Sequence, residues 1–452
     1  MPPLQKRMSA YSAYVAPAAT IIFAGAMIFA GGSSRVDAPQ IIIVRLAAII
    51  AIAGTVTAAP AAMLGQFARG VALPFAALIL WAIQLVPLPP SLWLALPGHA
   101  LLAQSAIIAN EAQPWRPLSL SPDLTIEAML ALMVPVAAII LTLSAPKRWL
   151  HQAALALMIL AVFSAAVATG QAAGGPDSIL QWYPAGEADV STGLLVNRNH
   201  QGLLMSLGIP AAFIWATNEQ SGTLPRGSRL LIAFAVAALC VIGALITQSR
   251  AAIIFVALGA VFAAASLGRD IIKLVGARGA IIAASGSALA LAGVAALALP
   301  YQRLMAGDAN DDRAYFWADT TTMLKAYFPF GSGGGTFVNT YPRFQGMDRL
   351  RPEYVNHAHN EVLEFVSENG IAGIVLIAAL AWLLVPRMVT VILEKNSSPM
   401  LRSGRFAVVV IGFAILASMV DYPLRAPMMT SLIASSAVIL YRAHEELRDP
   451  PA

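Results

Sequence analysis

The chain has 452 residues, of which 58% are hydrophobic and 11% charged, with a formal net charge of +5 and one cysteine. Soluble domains run near 45–50% apolar and about 25% charged, so a soluble globular fold is excluded. The lone Cys240, set in an apolar run where it reads as packing, excludes an intramolecular disulfide and a cysteine metal cluster. Apolar runs of about 17 to 22 residues recur, long enough for helices to cross a hydrocarbon core about 30 Å thick. The alternating ten-residue segments of a transmembrane barrel are missing. Composition therefore predicts an all-α polytopic membrane protein, with residues 1–452 forming a single integral membrane domain.

In chain order, the first predicted span is about Tyr11 to Gly31; Lys6 and Arg7 precede it and no small-residue cleavage site follows, so it reads as a retained helix. Spans two and three are about Gln40 to Ala58 and Val71 to Leu88, followed by a polar stretch from Pro89 to Thr125. Spans four and five, about Ile126 to Leu143 and Leu150 to Ala168, are joined by a short turn with Lys147 and Arg148. After a second polar loop come spans six to nine, about Gln201 to Ala216, Leu230 to Thr247, Ala251 to Leu267 and Ala280 to Leu299. The longest loop, about residues 300–369, precedes spans ten to twelve, about Gly370 to Val385, Phe406 to Val420 and Pro427 to Tyr441.

Twelve crossings put both termini on one side, and the basic residues test this, because short cytoplasmic loops collect Lys and Arg. Lys6, Arg7, Arg69, Arg226, Arg229, Arg269, Lys273, Arg278, Arg387, Lys395, Arg402, Arg405, Arg442 and Arg448 all fall in loops or ends that this count makes cytoplasmic. The three long loops then share the outer face. No internal repeat is evident and the polar residues crowd that face, a pattern that favours surface chemistry over a transport path. Arg45 departs from it, about a turn and a half inside span two; it is either a site-lining group or a side chain that snorkels to the outer headgroups.

Outside, the basic residues are nearly all arginines, the group suited to bidentate holding of phosphate, so an anionic ligand is the natural partner. Arg250, in ITQSRAAIIF, sits in so tight a connection between spans seven and eight that it faces the membrane boundary or a cavity. Arg313 opens RAYFWADTTTMLKAYF behind a run of capping residues and shares a face with Trp317 and Leu324 on a predicted amphipathic helix at the outer interface. The run GSGGGTF, Gly331 to Phe337, lacks the lysine and the strand-to-helix context of a phosphate loop and reads as a flexible turn.

The densest chemistry lies in YVNHAHNEVLEFVSENGIAG, Tyr354 to Gly373, where His357 and His359 precede Asn360 and three carboxylates. Asn360 is placed to cap a helix that Gly370 ends or interrupts. Glu361, Glu364 and Glu368 then form one acidic face at spacings of three and four. His-x-His beside Glu admits a metallohydrolase reading, but no third histidine is close in sequence, and His200 in NRNHQG stands apart. A neutral imidazole suits removal of a proton from a sugar hydroxyl, and arginines suit a phosphate leaving group. Base and cationic clamp at an outer membrane surface make a coherent transferase site.

Four stretches together resemble the O-antigen ligase and O-antigen polymerase superfamily of bacterial envelope glycosyltransferases: NRNH at Asn197 to His200, TQSRAA around Arg250, RAYFW with FGSGGGTF across Arg313 to Phe337, and HAHNEVLEFVSENGIAG. VDYPLRAP, Val420 to Pro427, is a weaker fifth, and WRPLSLSPDLT a trace in the N-terminal half. The resemblance implies a lipid-linked-sugar glycosyltransferase bundle in the inner membrane. It implies an undecaprenyl-diphosphate-linked glycan donor, a hydroxyl acceptor such as a lipid A core sugar, no metal or other cofactor, and inversion at the transferred sugar. It makes His359 the general base with His357 in support, gives Arg250 and Arg313 the donor diphosphate, and lets Arg198 or His200 line the site beside Asn360. Ala358 splits the family's histidine doublet, which leaves the choice between His357 and His359 open. Ligation and repeat-unit polymerisation use the same groups. The rival from another class is a polysaccharide exporter or lipid-linked-sugar flippase, for which midplane polar residues matter and His359 does not.

Overall fold

The computed structural model describes residues 2–35, 37–183, 191–218, 224–264, 312–349, 354–395 and 398–448. Among them there is no strand, only an isolated bridge between Leu88 and Arg116. Helices satisfy their backbone polar groups internally, which hydrocarbon requires. In chain order those of ten residues or more are α1 (Pro2–Ala30), α2 (Gln40–Ala58), α3 (Ala61–Gly70), α4 (Ala72–Gln84), α5 (Pro122–Ser144), α6 (Ala153–Gly174), α7 (Arg198–Thr217), α8 (Arg226–Ile246) and α9 (Arg250–Ala264). After the long loop begins come α10 (Arg313–Tyr327), α11 (Glu361–Leu393), α12 (Pro399–Ser418) and α13 (Pro427–Arg448).

Six of these, α2, α5, α6, α8, α11 and α12, are long and apolar enough to cross a membrane, and α3 with α4, bent by 55°, makes a seventh. That falls short of the twelve expected crossings. Span nine and the first part of the long loop lie outside the described residues. Span three begins earlier than its hydropathy suggests and is broken: Pro74, three residues past the bend at Val71, has no N–H to offer the Gly70 carbonyl. The expected spans six and twelve are helices, α7 and α13, but carry too many polar residues to pass as lipid-facing spans.

α7 shows why. Every residue from His200 to Phe213 is buried, so the helix is wrapped by protein and its polar side chains never meet lipid. α6, α8, α9 and α12 surround it in one apolar core. Small residues let these backbones approach closely, as they do in membrane bundles. A Cβ on Gly208 would meet Ala161 Cβ and Cys240 Sγ at 2.7 Å each, which gives the lone cysteine its packing role.

α11 is two helices joined at Gly370, whose φ of 57° is left-handed. The break lets the Ile371 N–H bond the Pro329 carbonyl at 2.9 Å. The glycine run then lies against it: Ser332 N and Gly333 N donate to the carbonyls of Ser367 and Glu368, and Gly334 N donates to Gln84 Oε1 at 2.9 Å. Trp81 Nε1 meets Asn369 Oδ1 at 2.8 Å. Thus GSGGGTF is no flexible turn; it is a buried strap tying α4 to the break in α11. A Cβ at Gly370 would fall on the Pro329 carbonyl oxygen. Gly370→Ala is therefore expected to destabilise the protein by about 1–3 kcal/mol, read as a lower melting temperature in detergent. An unchanged melting temperature would show that the break relaxes freely.

α10 begins, as expected, at Arg313, but its buried face, Asp319, Thr320, Met323 and Tyr327, packs on protein. Met323 and Tyr327 join Phe337, Tyr341 and Ala358 in a small core, which seats α10 beside the start of α11.

Candidate active site

The start of α11 is built as its sequence reads: Asn360 Oδ1 accepts from Leu363 N at 3.0 Å. The acidic face is another matter. Glu361, Glu364 and Glu368 are 7%, 1% and 1% exposed, so this is an inward face, and each carboxylate is held. Glu361 accepts from Leu424 N at 2.7 Å and from the Ser418 hydroxyl. Glu364 accepts from Ala358 N at 2.8 Å, lies 2.9 Å from His357 Nδ1 and pairs with Arg425 at 2.9 Å. Glu368 accepts from Phe337 N at 3.0 Å and lies 3.5 Å from Arg425. The turn between α12 and α13 is thereby docked on the His-Ala-His-Asn stretch.

That turn brings in Asp421 and Tyr422. His359 Nδ1 lies 3.2 Å from Asp421 Oδ1, and the Tyr422 ring sits among three imidazoles, His357, His359 and His200, at centroid distances of 4.4, 4.9 and 5.2 Å. Phe316 of α10 stacks on His359 at 5.9 Å, and Trp317 Nε1 donates to the His359 carbonyl at 3.4 Å. Asn199 closes the far side: its Oδ1 accepts from the Ser249 hydroxyl at 2.6 Å, and its side chain bonds Asp421. The N-termini of α7, α9, α10 and α11 thus converge on one turn. Burial pushes the Asp421 carboxyl up, but His359 and, after it, the His200 charge and Asn199 outweigh this and hold it at about 2, so it is a carboxylate wherever the site works.

Of the residues expected to act, His357, His359, His200 and Asn360 come together. Arg198 and Arg250 are exposed, each next to a residue of the Asn199–Ser249 bond; Arg313, half-buried, opens α10 one turn before Phe316. They stand at the edge of the cluster. Arg45 of α2 pairs through its guanidinium with Glu127 of α5. Asp421, Tyr422 and Arg425 were not among the expected site residues. The only sequence signal for them is VDYPLRAP, a polar run in the short turn between two apolar helices. Both ring nitrogens of His200 and Nε2 of His357 have no hydrogen-bond partner among the described residues, and Nδ1 of His359 meets Asp421 as an ion-pair contact without hydrogen-bond alignment. Also among the described residues, no group of three His, Cys, Asp or Glu side chains is arranged to hold a metal ion.

Residues 235–378 match the family model Wzy_C, described as O-Antigen ligase. The matched segment spans about a third of the chain and supports the O-antigen ligase superfamily. No curated protein matches the chain. That superfamily is glycosyltransferase-like, with activity of ligase or polymerase type, and together with the apolar helices the match supports a multi-pass membrane protein. The matched segment holds Arg250, Arg313, the glycine strap, His357 and His359; Asn199, His200, Asp421 and Arg425 lie outside it in sequence and reach the cluster through the fold.

Proposed function

We propose that the protein is an inverting, metal-independent glycosyltransferase of O-antigen ligase type. It moves a glycan from undecaprenyl diphosphate to a hydroxyl of a lipid A core sugar at the periplasmic face of the inner membrane. The observation that carries this reading is the His359–Asp421 pair, whose histidine lies in the segment similar to O-antigen ligases and which Arg198, Arg250 and Arg313 edge. His359 takes the role of base over His357 because its side chain is 26% exposed against 11%, while its Nδ1 faces a carboxylate. Nε2 then removes the acceptor proton, and Asp421 stabilises the imidazolium that forms. The freed oxygen attacks the anomeric carbon as the bond to the diphosphate breaks on the opposite side, which inverts the centre. Arg250 and Arg313 hold the diphosphate and stabilise the charge it gains. The glycosyl diphosphate stores the needed free energy, so no nucleotide is required. Twelve crossings with both termini cytoplasmic complete the proposal.

Cells lacking the protein are expected to accumulate lipid-linked glycan on the periplasmic leaflet. Donor trapped on the cytoplasmic leaflet would contradict transfer and favour flipping. Polymerisation of repeat units differs only in the acceptor, a hydroxyl on another lipid-linked glycan.

Arg250→Lys keeps the charge and loses the planar fork. With one charge-assisted hydrogen bond worth about 1.5–3 kcal/mol, transfer should fall about tenfold to a hundredfold in an assay at saturating acceptor. An unchanged rate would reduce Arg250 to a helix-end charge.

A further inference from the structure

The transfer chemistry does not account for Glu364. Its carboxylate is 1% exposed and joins three partners: His357 Nδ1 at 2.9 Å, Ala358 N at 2.8 Å and Arg425 Nη2 at 2.9 Å. Both residues that precede His359 are thus tied to one carboxylate on the first turn of α11. Arg425 belongs to the turn that carries Asp421, and it also reaches Glu368 at 3.5 Å, whose other oxygen accepts from Phe337 N of the glycine strap. His359 itself has φ 52°, the left-handed region that a residue with a Cβ occupies only where its surroundings hold it there. Those surroundings are the Glu364 bonds on one side and the Asn360 cap on the other.

We propose that Glu364 is a positioning residue: with Arg425 as its counter-ion, it fixes the left-handed bend that sets His359 against Asp421. It acts through His359 and does not touch substrate. The inference rests on the reading of His359 as the base. It also gives Arg425 a purpose other than binding phosphate, since its guanidinium is engaged by two buried carboxylates. Glu364→Gln replaces one acceptor oxygen with a donor, so either the His357 Nδ1–H or the Ala358 N–H loses its partner.

The test measures two quantities on purified full-length protein in detergent: the transfer rate constant, and donor affinity by titration with a polyprenyl-diphosphate glycan in the absence of acceptor. For Glu364→Gln the rate should fall about a hundredfold, the size expected when a reacting group is misplaced by about 1 Å, with donor affinity within about twofold of wild type. Glu364→Asp, which keeps the charge but draws it back, should fall between Glu364→Gln and wild type. Wild-type turnover in Glu364→Gln would overturn the proposal. Loss of donor affinity and rate together in both variants would overturn it too, by showing a role in folding alone. An active His359→Ala, or a wild-type protein without transfer, would instead overturn the reading on which the proposal rests.

Discussion

His359→Ala is expected to abolish glycan transfer while leaving the folded protein in the membrane. The side chain projects from a turn, packs against the Phe316 and Tyr422 rings and is partly exposed, so the bundle does not depend on it. The turn itself is fixed by other groups, Glu364 and the Asn360 cap. What is lost is the proposed base, and a positioned acid–base group contributes about 10²–10⁴-fold. His357→Ala should cost less, because its Nδ1 is committed to Glu364 and its side chain is more deeply buried. Transfer measured in membranes with matched protein levels decides between the two. Near-normal activity of His359→Ala, with activity lost in His357→Ala, would reverse the assignment.

Asp421→Asn should be nearly as damaging. Asparagine keeps the shape and an acceptor oxygen but removes the charge that stabilises an imidazolium at His359, 3.2 Å away. A fall in rate of about 10²–10⁴-fold is expected, with donor affinity retained. The pair also has a pH signature. The Asp421 carboxyl is held at about 2, below its ordinary 3.8, so its contribution to stability is fully present above about pH 4 and is lost as pH falls toward 2. Acid unfolding of Asp421→Asn should lack that component between pH 4 and 2. An identical acid-unfolding profile would show that the carboxylate is not engaged in the folded protein.

Much of the frame was legible because it rests on local signals. The Gln40–Ala58 helix begins and ends where hydropathy places it, Pro427 opens α13, and Asn360 caps α11 as its type and position require. The crossings were harder to read. Hydropathy reports what faces lipid, and α7 faces none, so its helix is plain while its role as the wrapped centre of the bundle is not. Three glutamates at helical spacing look like a solvated face until the partner is known. That partner, Arg425, comes from a turn 61 residues beyond Glu364 in sequence. Arg45 and Glu127 repeat the lesson: two isolated ionisable residues in separate spans become a pair only when α2 and α5 are set side by side. Asp421 was hidden for the same reason. A lone carboxylate in a short turn carries no sequence signal for the histidine it will meet.

In the proposed function this chain itself catalyses glycosyl transfer at the His359–Asp421 pair. The most direct test is transfer by purified protein from an undecaprenyl-diphosphate glycan, with lipid A core and a second lipid-linked glycan offered as acceptors, in the presence of a chelator. Glycosylated lipid A core is expected to form despite the chelator, with the transferred linkage inverted. Product on the lipid-linked glycan alone would make the enzyme a polymerase. Absence of product with either acceptor, from protein shown to bind the donor, would show that this chain is not the transferase.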